Sequence, residues 1–214
     1  MIPIFAAALF AFLALMGGLA LGVLAGRFFR FRENLGEALV ANAIGNGFHR
    51  PHVLLNNVTL ETHHGTTQID HILVADTGIF VIETKHYGGW IFGRASDPQW
   101  TQVIYRKKSR FQNPIRQNYG HVKALQALLS LSPHAFVPLV IFTGDAVFKS
   151  DLGPTVLKLP ELIAWLSAER PILFDQQAMA GLVGRIEMAR MRRSLETDEY
   201  HLNSVRLRIR HSKT

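Results

Sequence analysis

The chain has no cysteine among its 214 residues. That excludes a disulfide framework, a thiolate-held zinc or iron–sulfur centre and a cysteine nucleophile. It leaves the redox compartment open, because a cysteine-free protein tolerates either side. Charge is sparse as well: Asp, Glu, Lys and Arg make up 18% of the residues against 48% hydrophobic, which excludes disorder as the main state. Acid is missing altogether from the first 32 residues, where the charged side chains are Arg27, Arg30 and Arg32. Residues 33–169 are charge-balanced, and the excess of base returns after residue 170. The net charge of +7 therefore sits on two flanks rather than on a basic core. By itself it says nothing about nucleic acid. No repeat or low-complexity tract is present after residue 33. Gly88, Gly89 and Gly93 lie in no Walker or dinucleotide pattern, and no GxSxG nucleophile context exists.

What the N-terminus does hold is an uncharged run from Ile2 to Ala25. As a helix it spans roughly 36 Å at ~1.5 Å per residue, more than the ~30 Å of a bilayer's hydrocarbon layer. Arg27, Arg30 and Arg32 follow at once, so the positive-inside bias predicts Met1 outside and the rest of the chain in the cytoplasm. A cleaved signal peptide wants a basic n-region and a shorter apolar stretch, and neither is present. Gly18, Gly22 and Gly26 form small-xxx-small spacings, which allow the anchor to form a homodimer.

Downstream, residues 34–44 read as a helix capped by Asn34 and ended by Gly45 and Gly47. His52–Leu60 reads as a strand, followed by a polar loop at residues 61–67. Gln68–Ala75 and Ile79–Lys85 read as a hairpin turning at Asp76-Thr77-Gly78. Short strands at residues 90–93 and 100–105 follow. Asn113-Pro114 starts a helix to about Leu131, since Asn caps well and Pro suits the first helical position. Residues 136–143 form an apolar run expected of a strand covered on both faces. Residues 160–168 and 176–191 read as helices. This order predicts an α/β domain around a central mixed sheet.

The hairpin carries the chemistry. Side chains at i and i+2 share a strand face, so Glu83 and Lys85 project together at the end of an apolar strand. The turn brings Asp70 beside Glu83 or one diagonal step away. Two carboxylates so close repel unless neutralised, and a hard dication such as Mg2+ does this with oxygen ligands. Spacing alone also leaves room for a plain pair of solvated strand-end acids. Gln117, His121 and Leu128 share one stripe of the helix begun at Pro114, placing Gln117 at its sheet-facing edge. His63-His64 reads as loop, and His71 alternates away from Asp70 and reads as structural.

Asp70 followed by Glu83-Thr84-Lys85 resembles the D…(D/E)xK signature of restriction-endonuclease-like nucleases. Six separated blocks, Leu35-Gly36-Glu37, Gln68-Ile69-Asp70-His71, residues 78–85, residues 89–93, Trp100 and residues 113–118, resemble more specifically the nuclease-related domain family over about residues 33–143. The resemblance implies a restriction-endonuclease-like fold with a mixed central sheet flanked by helices, here preceded by one transmembrane helix. It implies a Mg2+-dependent hydrolase of nucleic acid, DNA foremost, with Mn2+ as an alternative ion. Asp70, Glu83 and Glu37 would be metal ligands, Lys85 would stand by the attacking water and the phosphate, and Gln117 would orient Lys85 or the phosphate. For Glu37 a solvated surface role, and for Gln117 a helix-end hydrogen bond, remain open on the residues alone.

The expected organisation is an anchor at 1–26, a basic juxtamembrane segment at 27–32, the nuclease-like core at 33–143 and a C-terminal helical extension at 144–214 with a basic tail. In that tail Val205, Leu207 and Ile209 alternate with Arg206, Arg208 and Arg210, which argues a strand that extends the sheet, follows nucleic acid or meets anionic lipid. Arg106-Lys107-Lys108-Ser109-Arg110 reads as a phosphate-tracking stretch or a solvated turn. A competing expectation keeps the fold without the chemistry: a membrane-tethered, inactive nucleic-acid-binding or scaffolding module.

Overall fold

A computed structural model of the chain describes residues 34–63, 65–191, 197, 200 and 201. The expected anchor, the juxtamembrane arginines, His64 and the alternating tail lie outside the described residues. The chain divides into two units, residues 1–35 and 36–214. Among the described residues no helix is long and apolar enough to cross a membrane.

Helix α1 covers residues 34–47. Among the described residues nine strands follow: β1 (His52–Thr62), β2 (Gly65–Ala75), β3 (Gly78–Lys85), β4 (Gly89–Phe92), β5 (Gln99–Ile104), β6 (Lys107–Gln112), then, after helix α2 (Pro114–Leu129), β7 (Phe136–Phe142), β8 (Ala146–Phe148) and β9 (Val156–Lys158). Helices α3 (Leu162–Leu166) and α4 (Gln176–Ala189) follow, and Thr197, Tyr200 and His201 are helical further along the chain. The strands form not one but two mixed sheets, a five-stranded one in the order β1-β2-β3-β7-β9 and a four-stranded one in the order β6-β5-β4-β8. In the first, β1, β2 and β3 are antiparallel while β7 runs parallel to β3 and to β9. The polar segment at 61–67, expected as a loop, is instead the tip of the β1–β2 hairpin, with Thr62 paired to Gly65. Polar side chains suit a strand end whose outer face meets water, which is why composition misleads there.

Burial follows from the pattern. β3 and β7 are covered on both faces, as their near-continuous apolar runs require. On one face Ile72, Val74, Ile79 and Val81 pack against Val122, Leu125 and Leu129 of α2 and Met179, Leu182 and Ile186 of α4. On the other, Leu73, Phe80, Ile82 and Leu139 meet Val40 and Ile44 of α1 and Leu162 and Leu166 of α3. Trp100 and Ile91 of the second sheet pack with Val140 and Phe142 of β7. α2 begins as expected: the Asn113 side chain accepts the Ile115 N–H at 2.9 Å, and its amide donates to the carbonyls of Ala95 and Asp97 at 2.9 and 2.7 Å.

The β1–β2 ladder is interrupted at one place. It skips the pair Asn57 and Asp70, and Asn57 holds a left-handed backbone (φ 53°), a conformation that Asn tolerates better than most residues. Leu55 and Ile72 on one side of the break and Val58 and Ile69 on the other all reach the same core. Strict alternation would send one of these two cross-strand pairs to the opposite face, so the facing reverses at Asn57 and Asp70. A carboxylate is thereby accommodated in mid-strand without interrupting the apolar layer.

Candidate active site

The β2–β3 register ends at His71 opposite Ile82, and the same register carried one step further sets Asp70 opposite Glu83. Past that pair the ladder gives way to a side chain: Asp70 Oδ2 accepts the Thr84 N–H at 2.8 Å. Glu83 is buried and both its oxygens are engaged, Oε1 by the Lys85 ammonium and Oε2 by His121 Nε2 at 3.1 Å. Lys85 also donates to Gln117 Oε1 at 3.3 Å. Asp70, Glu83, Lys85 and Gln117, drawn from two strands and a helix, thus meet at one end of the five-stranded sheet.

Glu37 on α1 comes close enough for its charge to act on Asp70. The approach of α1 depends on Gly36. A Cβ there would stand 2.9 Å from His86 Cβ and from Thr143 Oγ1, and 3.2 Å from Thr84 Cγ2. Any larger residue would push the helix start away from the end of β3.

His121 is the participant that motif and spacing do not single out. The sequence pattern assigns it only a place on the Gln117 stripe, yet at i+4 it faces the same way and bonds Glu83 directly. A carboxylate can only accept, so Nε2–H is the donor. In the neutral ring Nδ1 then accepts from the Thr67 hydroxyl at 2.7 Å. Helix α2 is held in place by Asn118, whose buried amide donates to Val81 O at 2.8 Å and Leu139 O at 2.9 Å, bridging β3 and β7. His71 is structural, as expected: it is buried and its Nδ1–H donates to Asn56 Oδ1 at 2.7 Å. His63 lies exposed at the tip of the first hairpin.

Electrostatics separate the two acids. Burial, the Glu83 charge and Glu37 push Asp70 well above the usual carboxylate range, against the opposing pull of Lys85 and the Thr84 N–H. Burial pushes Glu83 up too, but Lys85 and the His121 hydrogen bond outweigh it, and the net shift is downward. Burial alone would lower Lys85, yet Glu83 and Asp70 raise it above its ordinary value, so it is a fixed cation. The two acids are thus set apart by their neighbours, and neither is a solvated strand-end carboxylate.

The donor set fits a hard divalent cation. Asp70 Oδ1 accepts no hydrogen bond from the described residues, and like-charge repulsion on Asp70 is what a dication relieves. Among the described residues no group of three or more His, Asp and Glu is arranged to hold a metal, so an ion here would rest on Asp70 Oδ1, on what Glu83 can share beyond Lys85 and His121, and on its own waters, the sparse protein ligation that Mg2+ accepts. The stretch at 106–110 is mostly strand: Tyr105 (φ 53°) and Arg106 make the turn, and Lys107 opens β6.

No solved structure matches the chain. An uncharacterized protein of Bacillus anthracis is 48% identical over 101 residues, which cover 47% of this chain and 48% of that protein. The chain thus spans about half the length of the curated relative it matches. The model of the nuclease-related domain matches residues 32–143, a stretch that contains Glu37, Asp70, Glu83, Lys85 and Gln117 together with His121. The chain belongs to the nuclease-related domain family.

Proposed function

We propose that the protein is a metal-dependent nuclease that hydrolyses phosphodiester bonds of nucleic acid at the Asp70–Glu83–Lys85 cluster. The observation that carries this reading is the approach of Asp70 and Glu83 on adjacent strands, where Asp70 accepts the Thr84 N–H and the Glu83 charge acts on it, with the Lys85 ammonium beside them. Asp70 and Glu83 would hold Mg2+ or Mn2+, with Glu37 reaching the ion through water. When bound, the ion would lower the pKa of water and offset charge on the phosphate oxygens. Lys85 stays protonated, so it serves as donor and cation toward the phosphate and not as a base. Gln117 holds the ammonium by its amide oxygen, and His121, backed by Thr67, fixes the Glu83 carboxylate.

The uncharged run 2–25 followed by Arg27, Arg30 and Arg32 supports a single-pass anchor that keeps this domain on the cytoplasmic side of a membrane. The deciding experiment incubates the full chain with Mg2+ and plasmid, single-stranded DNA or RNA, beside Glu83→Ala and Asp70→Asn. Metal-dependent cleavage should fall at least a hundredfold in both variants. Equal cleavage by wild type and Glu83→Ala would remove the assignment, and absence of cleavage with intact nucleic-acid binding would leave the tethered binding module.

A further inference from the structure

The four-stranded sheet has one face in the core and one in water. Ile91, Trp100 and Ala146 are buried inward, with Phe111 and Phe148 packed against the same cluster. Alternation then turns Trp90, Phe92, Thr101, Val103, Lys108 and Arg110 outward, and these six line a cavity of about 670 Å³. Register arranges them in two rows. Trp90 pairs with Val103 and Val103 with Lys108, while Phe92 pairs with Thr101 and Thr101 with Arg110. The solvated side of such a sheet is ordinarily polar. Here Trp90 is 50% exposed and Phe92 38%, with Val147 beside Trp90 on β8. Lys149 lies 4.8 Å from the Trp90 ring centre, which adds a third cation to Lys108 and Arg110. No outward position of these four strands is acidic.

We infer that this face is a stacking platform for the unpaired bases of single-stranded nucleic acid, whose phosphates run along Lys108 and Arg110. Open aromatic rings bordered by cations and free of acid suit a ligand that offers π-faces and negative charge together. A duplex hides its base faces and would use only the cations, and an apolar partner would have to bury three of them. Lys149 does not close the platform, because a cation–π contact at an exposed site is weak and a base can displace it. The inference rests on the nuclease reading for its substrate class. Trp90 follows Lys85 by five residues, so their Cα atoms are no more than ~18 Å apart and one strand can touch both.

The test measures binding apart from cleavage. The full chain, in detergent micelles with EDTA, is titrated against labelled oligo-dT and oligo-U and against a duplex of equal length. Single strands should bind tighter than duplex. Trp90→Ala and Phe92→Ala should each weaken them roughly 5- to 150-fold, with duplex binding unchanged and Trp90→Phe close to wild type. Lys108→Gln with Arg110→Gln should weaken both forms and flatten the salt dependence. Single-strand binding that survives both aromatic substitutions would overturn the platform, as would equal losses for single strand and duplex. A change confined to the sedimentation mass would show that the face joins two copies instead. The two readings fail separately. Cleavage lost in Glu83→Ala, with binding indifferent to Trp90, sinks the platform alone. Trp90-dependent binding without any cleavage sinks the chemistry alone.

Discussion

Asn118→Ala is the substitution that most directly probes how helix α2 delivers Gln117 and His121 to the sheet. The wild-type amide donates two buried hydrogen bonds, at 2.8 Å to Val81 O and 2.9 Å to Leu139 O. Each is worth about 1 kcal/mol net, and the small void left over β3 and β7 adds a similar amount, for about 3 kcal/mol in all. In a unit of this size that lowers the melting temperature by roughly 6–12 °C. Asn118→Asp should be worse at neutral pH than Asn118→Ala, because a carboxylate would face two carbonyl oxygens with no hydrogen to offer. At low pH, where the acid carries a proton, it can restore one bond and should recover part of the loss. Urea unfolding followed by tryptophan fluorescence reads both effects. Asn118→Ala within ~0.5 kcal/mol of wild type, or an Asp variant indifferent to pH, would refute the claim that this amide ties α2 to the β3–β7 pair.

Two neighbouring groups give further expected outcomes. Burial pushes His71 down to about 4, only partly opposed by Glu83, and its buried Nε2 has no hydrogen-bond partner among the described residues. Its folded value lies below the unfolded ~6.5, so the unfolded chain binds more protons between the two; the His71 contribution is whole above pH 6.5 and fades as pH falls toward 4, by about 3 kcal/mol. Chemical denaturation from pH 7 to 4 should show that slope in wild type and a flatter one in His71→Asn, and parallel slopes would refute it. Gly36→Ala should cost about 1–3 kcal/mol, since the new methyl meets His86 and Thr143 at 2.9 Å, and a melting temperature equal to wild type would show that α1 does not press on the end of β3.

The amino-acid pattern makes some parts of this arrangement plain and hides others for identifiable reasons. The β2–β3 hairpin is legible because its apolar run is interrupted only by Asp76-Thr77-Gly78, and a tight turn fixes register; that brings Asp70 beside Glu83 or one diagonal step away, and the observed register, continued one residue past His71 and Ile82, gives the first. α2 is legible from Asn113-Pro114, whose capping bond is present. The second sheet is legible only in part: β4 and β5 answer to the short strands expected at 90–93 and 100–105. β8 in that sheet and β9 at the edge of the first are three residues each, too short for a period, and β6 is a run of exposed Lys, Ser and Arg whose pairing with β5 comes from tertiary context. The left-handed Asn57 leaves no signal either, although it is what lets Asp70 sit in mid-strand. His121 does leave one, since Gln117 and His121 at i, i+4 must share whatever Gln117 faces.

The charge arrangement ties fold to chemistry and can be tested without any nuclease assay. Glu83 is satisfied by Lys85 and His121, so the repulsion between the acids falls on Asp70, with Glu37 adding to it. A raised folded-state value means that Asp70 favours folding when protonated and loses that contribution as pH rises through it. A proton or a cation can meet this demand, and the two compete for one carboxylate. At pH 8, 10 mM Mg2+ acting on a site with a dissociation constant near 1 mM should stabilise the protein by roughly 1.4 kcal/mol, or about 3–6 °C. At pH 5 the rise should shrink as the proton takes the site. Asp70→Asn should melt higher than wild type in EDTA at pH 8, and Mg2+ should no longer raise it. A Mg2+ shift of the same size in wild type and Asp70→Asn would place the ion elsewhere, and no shift at all would leave Asp70 a protonated structural acid.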